Sequence, residues 1–434
     1  MSYLRNVTLV KKRYAMRWYA VGAVTARTGD EMSGPALLLA GLAVTGSAST
    51  ASWLLAGITV SAAVGGPVFG VLIDRAARPG RLLAWALGLY AAGLAAVLAG
   101  LGRVPLVATI LIAVCAGLLG PALSGGWTSQ LPRVATGGRL PRAGALDAMT
   151  FDLASLVGPA LAGVVAGVWG APAGVVASAA LICAALPSAL TLPAVPEPAE
   201  RRSGPSIASD AERRSGPPIT SDLVAGVRVI LRSRGLARAT TTSVVSCAGQ
   251  GMLIACVPLL GESLGAAGHG AILLSVAAAS ALAANAVLAR HPRLLAPDTV
   301  IWCSTIVLAV ALVLLATGRP ALLIAAMVIV GIAEGPQLTA LFAVRHREAP
   351  GRLRGQVFTT GASLKITGFA LGAGVAGPVA DRSLPGALLA AAGVQVLAAL
   401  CFAWHSRAHR RVRRAGAGDA RRAALPDAHG RVRT

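Results

Sequence analysis

Acidic residues, histidines, cysteines and aromatic rings are all scarce in this 434-residue chain, and each shortage removes a class of function. Charged residues make up 13% and aromatic residues 4% of the sequence. The six cysteines, Cys115, Cys183, Cys247, Cys256, Cys303 and Cys401, are scattered through apolar runs with neither metal-ligand spacing nor pairing, so they read as small hydrophobes. No nucleophile–base constellation, metal cluster, phosphate-binding loop or ATP-binding domain is found, which argues against an enzyme and against an ATP-driven pump. No cofactor is called for. The low aromatic content leaves little surface for stacking a ligand. The first residues, MSYLRNVTLVKKRY, are basic and lack a small-residue cleavage site, so the first apolar run is expected to be retained.

What the chain has in abundance is apolar length. Hydrophobic residues account for 55% and the mean hydropathy is +0.70. Runs of about 20 apolar residues cross a hydrocarbon core roughly 30 Å thick. Twelve such runs are marked at 18-46, 51-73, 82-101, 104-127, 144-168, 171-193, 239-260, 270-289, 298-317, 320-344, 355-380 and 385-405. Their Ala, Leu, Val and Gly content, without strand-like alternation, predicts an all-α polytopic membrane protein of twelve transmembrane helices.

The net charge of +22 raises the question of a nucleic-acid partner. With the amino terminus placed inside, 34 of the 39 Lys and Arg residues fall in inside segments. That is the positive-inside pattern, so the charge sets orientation rather than binding nucleic acid, and both termini are expected in the cytoplasm of a plasma-membrane protein. The seven tryptophans, Trp18, Trp53, Trp85, Trp127, Trp169, Trp302 and Trp404, lie near span ends and read as interfacial anchors.

Glycine and proline signals recur at an offset of 214 to 215 residues, with Gly117, Gly120 and Pro121 returning as Gly331, Gly335 and Pro336. The chain therefore divides into a six-helix half over 1-193, a flexible cytoplasmic linker over 194-225, a second six-helix half over 226-405 and a basic, disordered cytoplasmic tail over 406-434. The linker carries a tandem duplication, AERRSGPSIASD then AERRSGPPITSD, which a chain tolerates where nothing is packed. The tail's arginines suit anionic lipid headgroups. Two parallel six-helix repeats are one architecture of secondary transporters, with the substrate site between the halves near the midplane.

The stretch GVLIDRAARPGR, with Gly70, Asp74, Arg75, Arg78 and Arg81 between the second and third spans, resembles the signature loop of the major facilitator superfamily, although Ala77 stands where glycine is usual. RTGDEM in the first span, LPRAGALDAMTFDLASLVGPALAG around the fifth and RLRGQVFTTGASLK leading into the eleventh are together most similar to the bacterial drug and macrolide efflux branch. The fifth-span GPALAG, with Gly158, Pro159 and Gly163, resembles the antiporter packing motif, with Ala162 replacing its first paired glycine. The resemblance implies a major facilitator fold and a conformational latch at Gly70, Asp74, Arg75, Arg78 and Arg81. Asp74 can pair with loop arginines or sit at the positive end of a neighbouring helix; a topology signal alone is the alternative.

Ionisable residues inside spans are costly and usually face a polar cavity. Arg27 precedes Asp30 and Glu31 by three and four residues, so one of these acids is expected to pair with it and the other to be free to exchange a proton. Asp152 is placed deeper than Asp147. Glu334 lies beside an expected Gly335-Pro336 distortion with Gln337 one turn's reach away, and Lys365 can face a carboxylate across the cavity. Asp30, Glu31 and Glu334 are thus the candidate proton carriers. Arg27, Asp152, Gln250, Asn285, Gln337 and Lys365 are candidate cavity residues, with packing hydrogen bonds the competing reading for Gln250 and Asn285. For each acid a structural ion pair stays open. The expectation is a monomeric, proton-coupled secondary transporter exporting a small amphipathic compound by alternating access, whose partners are substrate, protons and the bilayer. A proton symporter importing a metabolite and a transport-inactive membrane sensor or scaffold are the alternatives.

Overall fold

A computed structural model of the protein describes residues 2–194, 218–265, 269–292 and 295–423. Twelve long helices arrange as two bundles. In the N-terminal half α1 spans Ser2–Thr45, α2 Ala48–Arg75, α3 Pro79–Gly100, α4 Leu106–Gly117, α5 Leu140–Trp169 and α6 Ala171–Ala184. In the C-terminal half α7 spans Arg234–Ser263, α8 His269–Arg290, α9 Pro297–Ala316, α10 Pro320–Glu348, α11 Arg354–Ala380 and α12 Leu384–Ala423. Eleven spans among the described residues are long and apolar enough to cross a membrane. The apolar run of α1 is interrupted by Arg27, Asp30 and Glu31. Ser47 and Ser233 cap α2 and α7, each accepting a backbone N–H three residues on. The α1–α2 and α5–α6 turns pass through Gly46 and Gly170 at φ 65° and 88°, backbone that a Cβ disfavours.

Each half has its own apolar core, built on Leu54, Leu83, Leu87 and Leu94 in one and on Leu308, Leu312, Leu323 and Met327 in the other. The sequence repeat appears as one packing joint made twice. A Cβ on Gly117 of α4 would fall 2.0 Å from the Ile58 carbonyl of α2, and one on Gly331 of α10 would fall 2.0 Å from the Ala277 carbonyl of α8. Small residues here let backbones touch, which is how helices associate where lipid is as apolar as they are.

The halves differ past that joint. Pro121 lacks an N–H, and after α4 the backbone widens into a π-helical turn, Ala122–Gly126. At the matching Gly335-Pro336 the helix type does not change: α10 runs through Pro336 as one α-helix.

Several expectations meet a different structure. Trp127 is no interfacial anchor: it is fully buried beneath Gly22 and beside Tyr19 with ring centroids 6.0 Å apart, while the other six tryptophans are exposed. Its position at the end of an apolar run misled because that end turns inward through the π-helical turn. A Cβ on Gly163 would meet nothing within 4 Å; Gly158 and Ala162 are the buried members of GPALAG, and Gly158 lies against Glu31 and Met32 of α1. Where a flexible linker was expected to reach residue 225, a helix begins at Ile219 and runs to Arg232. Residues 195–217, with the first copy of the duplication, lie outside the described residues. Helix α12 continues to Ala423, through alanine and arginine, where an irregular tail was expected from residue 406. The tail's side chains from residue 407 lie outside the described residues, and with them its lipid contacts.

Candidate functional site

The two bundles meet along α2 against α11 and α5 against α8. The closest backbone approaches of α2 and α11 lie toward the ends nearest the linker helix, here termed the linker face. A Cβ on Gly66 would fall 2.4 Å from the Thr359 carbonyl, and one on Gly70 2.4 Å from the Gln356 Cα. Ser363 donates to the Ala62 carbonyl at 2.6 Å. At the edge of this seam Asp74 accepts the backbone N–H of Gly355 at 2.7 Å and of Gln356 at 2.8 Å. These are unsatisfied donors of the first turn of α11, so a carboxylate of one half caps a helix of the other. The side chain of Gln356 in turn donates to the Leu223 carbonyl of the linker helix at 3.0 Å.

Of the loop arginines, Arg75 pairs with Asp222 of the linker helix at 2.6 Å rather than with Asp74. Arg78 and Arg81 are exposed and stand apart from Asp74. The positive charges that act on it are Arg133, from the α4–α5 connection, and Arg354, at the start of α11. Of the two placements expected for Asp74, its own loop arginines or the positive end of a neighbouring helix, the structure has the helix end.

Beyond the seam the halves enclose a cavity of about 440 Å³ that opens toward the opposite, distal face. Arg27, Asp30, Glu31, Tyr90, Phe151, Arg345 and Lys365 are among its lining residues. Its floor is aromatic: Phe151 and Phe342 are 5.6 Å apart and Phe342 and Phe358 5.8 Å. With Phe369, four of the chain's six phenylalanines border this one space. The low aromatic content therefore excluded nothing: the few rings are gathered where a ligand would lie.

The expected pairing of Arg27 within its own helix is also corrected. Arg27 is buried and turns to α5, donating to Asp147 Oδ1 at 2.9 Å, to Thr128 at 2.8 Å, and to Thr150. Asp147 further accepts from Tyr19 at 2.8 Å and Thr128 at 2.9 Å, and Phe151 covers the guanidinium at 3.7 Å. An i, i+4 pair at a cavity wall would have left both groups half-solvated, whereas buried Asp147 and Thr150 take Nη1 and Thr128 takes Nη2, leaving only Nε without a partner. Asp30 and Glu31 are consequently left to the cavity. Asp30 accepts from Tyr90 at 2.9 Å, and Glu31 is bonded to Ser155.

Asp152 does not line the cavity. It accepts from Asn285 of α8 at 2.7 Å, and Asn285 accepts from Thr339 at 2.7 Å, so these residues tie the halves together behind the wall. Gln250 donates to Gln337 at 3.3 Å and Gln337 to Ser246 at 3.2 Å; Ser246 and Gln395 complete an amide network inside the C-terminal half. Glu334 is half-buried beside α11, within the electrostatic reach of Lys365. Arg345, Tyr90 and Asp147 were not singled out as site residues by the sequence. Arg345 lies one residue past the apolar run 320-344 and was counted with the loop cations.

Two six-helix bundles joined at one face, around a central cavity open to the other, define a multi-pass membrane transporter of the secondary class. The chain belongs to the Major Facilitator Superfamily, whose family description matches residues 19–296. It is 28% identical over 395 residues to an uncharacterized MFS-type transporter, y4rN, of Sinorhizobium fredii, covering 88% of this chain and 92% of that one. Among solved structures it is similar to the proton:xylose symporter XylE, with a TM-score of 0.71 at 13% identity, covering 91% of this chain and 96% of that chain. It is also similar to a bacterial homologue of the iron transporter ferroportin in an outward-facing state, with a TM-score of 0.69 at 14% identity, covering 91% and 99%. Identities this low speak for the fold alone.

Proposed function

We propose that the protein is a proton-coupled exporter of a small amphipathic compound, residing in the plasma membrane with both termini and the linker in the cytoplasm. One observation carries the coupling: Arg27 is turned away to Asp147, so Asp30 and Glu31 stand at the cavity wall with no salt-bridged cation among the described residues. Carboxyl groups that reach water from one side at a time can load and release a proton as access alternates. Glu334, set back from the wall and under the influence of Lys365, is the second candidate. Asp74, capping α11 across the seam, is the latch of the distal-open state, with Gly70 allowing the approach and Arg75 holding the linker helix. The positive-inside distribution of 34 of the 39 Lys and Arg residues supports a cytoplasmic linker face, and on that orientation the state described here is outward-facing. Export is supported by the similarity of RTGDEM, LPRAGALDAMTFDLASLVGPALAG and RLRGQVFTTGASLK to the drug-efflux branch and by the resemblance of GPALAG to the antiporter motif.

Everted vesicles with an acidic interior provide the test, using an acridine dye to follow the pH gradient while ethidium, rhodamine 6G and a set of aromatic acids are added in turn. An exporter releases vesicle protons when its substrate is added. Proton movement in the same direction as the compound would make it a symporter, and no response from any compound would favour a sensor or scaffold. A Ser209→Cys variant should escape an impermeant thiol reagent added to intact cells, and efficient labelling would reverse the orientation.

A further inference from the structure

Arg345 is buried at 1% exposure, yet its Nε and Nη2 have no hydrogen-bond partner and it forms no ion pair among the described residues. A guanidinium cannot shed its proton to escape this cost. On its own helix Glu348, three residues on, pairs instead with Arg347 at 2.9 Å, and Glu334 is eleven residues back, about 16 Å along the axis. The position is built rather than accidental. The guanidinium lies flat on Gly361 of α11, where a Cβ would fall 2.3 Å from Nη2, and it sits over Phe358 at 5.8 Å. One turn further along α11, on the same face, is Lys365, and both cations line the cavity. The acids of the cavity, Asp30 and Glu31, belong to the other wall on α1. Around the two cations the lining is apolar and aromatic, with Phe342, Phe358, Ile366 and Phe369.

A buried charge left without a counterion is strongly unfavourable, and proteins keep such groups where a ligand completes them. Arginine suits an oxyanion because its fork matches two oxygens, and lysine adds a mobile point charge. We propose that Arg345 and Lys365 form the head-group site for an amphipathic organic anion, a carboxylate or similar oxyanion, whose apolar body rests on Phe342, Phe358 and Phe369. This rests on the reading of the cavity as a substrate site, and it narrows the substrate class to anions.

The test measures equilibrium binding to the purified protein in non-ionic detergent, by calorimetry, with no proton gradient. The probes are 4-phenylbutyrate, 4-phenylbutanamide and 4-phenylbutylamine, which share a body and differ in head group. The carboxylate is expected to bind at least about tenfold more tightly than the amide or the amine. Lys365→Gln should cut carboxylate affinity about tenfold and Arg345→Gln more, while amide binding stays unchanged in both. Lys365 is half-exposed, so its variant decides the matter even where Arg345→Gln fails to fold. Equal binding of the three probes, or an undiminished carboxylate preference in Lys365→Gln, would overturn the assignment. Displacement of the carboxylate by phosphatidylglycerol at comparable concentration would overturn it in favour of a lipid headgroup. Because no gradient is present, anion binding without coupled transport would sink the proton-coupling reading alone, and coupled transport of uncharged compounds with no anion preference would sink this one alone.

Discussion

Each half buries one arginine against the cavity, and the two are treated in opposite ways. Arg27 is enclosed by Asp147, Thr128, Thr150 and the face of Phe151, so the N-terminal half neutralises its own cation and turns its free acids to the cavity. Arg345 rests on a glycine and a ring with unpaired donors, while the polar interior of its half is a neutral network of three glutamines, Gln250, Gln337 and Gln395, with the Ser246 hydroxyl. The fold repeat is shared down to the Gly117 and Gly331 joints. The charge plan is not. Duplication supplied the frame, and the two walls then diverged in which sign of charge they settle internally and which they present.

The sharpest way to break this contrast is to orphan the settled arginine. Asp147→Ala leaves Arg27 buried and unpaired, which costs about 3–5 kcal/mol and should abolish or severely reduce folded protein on thermal unfolding in detergent. Arg345→Met removes a charge that has no internal partner, so its melting temperature should stay level or rise. Equal losses in the two variants would show that Arg345 is held by contacts as strong as those of Arg27.

Asp74→Asn tests the one carboxylate that caps a helix of the opposite half. Losing a charge-assisted contact to two N–H groups should weaken the seam by about 1.5–3 kcal/mol, shifting the conformational equilibrium roughly tenfold to a hundredfold. Spin labels across the linker face should show the separated population grow while equilibrium ligand affinity changes little. An affinity collapse at an unaltered distance distribution would assign Asp74 to binding.

The acids of the N-terminal wall should matter for coupling and little for stability. Asp30→Asn, Glu31→Gln and Glu334→Gln are each measured for pH-gradient-driven accumulation in proteoliposomes. At least one of the first two should lose about tenfold or more while downhill exchange persists. Wild-type accumulation in all three would make these acids structural. Smallest of all, Gln337→Leu within the amide network should cost about 0.6 kcal/mol, the usual scale of an interhelical hydrogen bond in a membrane. A loss several times larger would mean the neutral network is as tightly built as the charged one.

The spans, the repeat and the halves could be read from sequence because apolar length and recurring Gly-Pro signals are local properties. The loop with Asp74 was legible as a motif, yet its partner is 281 residues away, so the choice between loop arginines and a helix end needed the fold. Arg27 was assigned to its nearest acids because i, i+4 spacing is visible and a contact across 120 residues is not. Arg345 was hidden because cations at span ends were read as orientation signals, and this one is instead buried against α11. The aromatic floor was missed because composition averages over the chain, while packing gathers four phenylalanines in one place.

The neutralised pair in the first bundle also bears on how the protein meets a membrane voltage. A charge displaced across the full field is worth about 2.3 kcal/mol per 100 mV. Arg27 and Asp147 travel together when their bundle tilts, so that movement carries almost no current through them. The second bundle takes Arg345 with it uncompensated. Reorientation of the ligand-free protein should therefore be electrically asymmetric, and a transient current on a supported bilayer, reduced in Arg345→Gln, is where that asymmetry would be recorded.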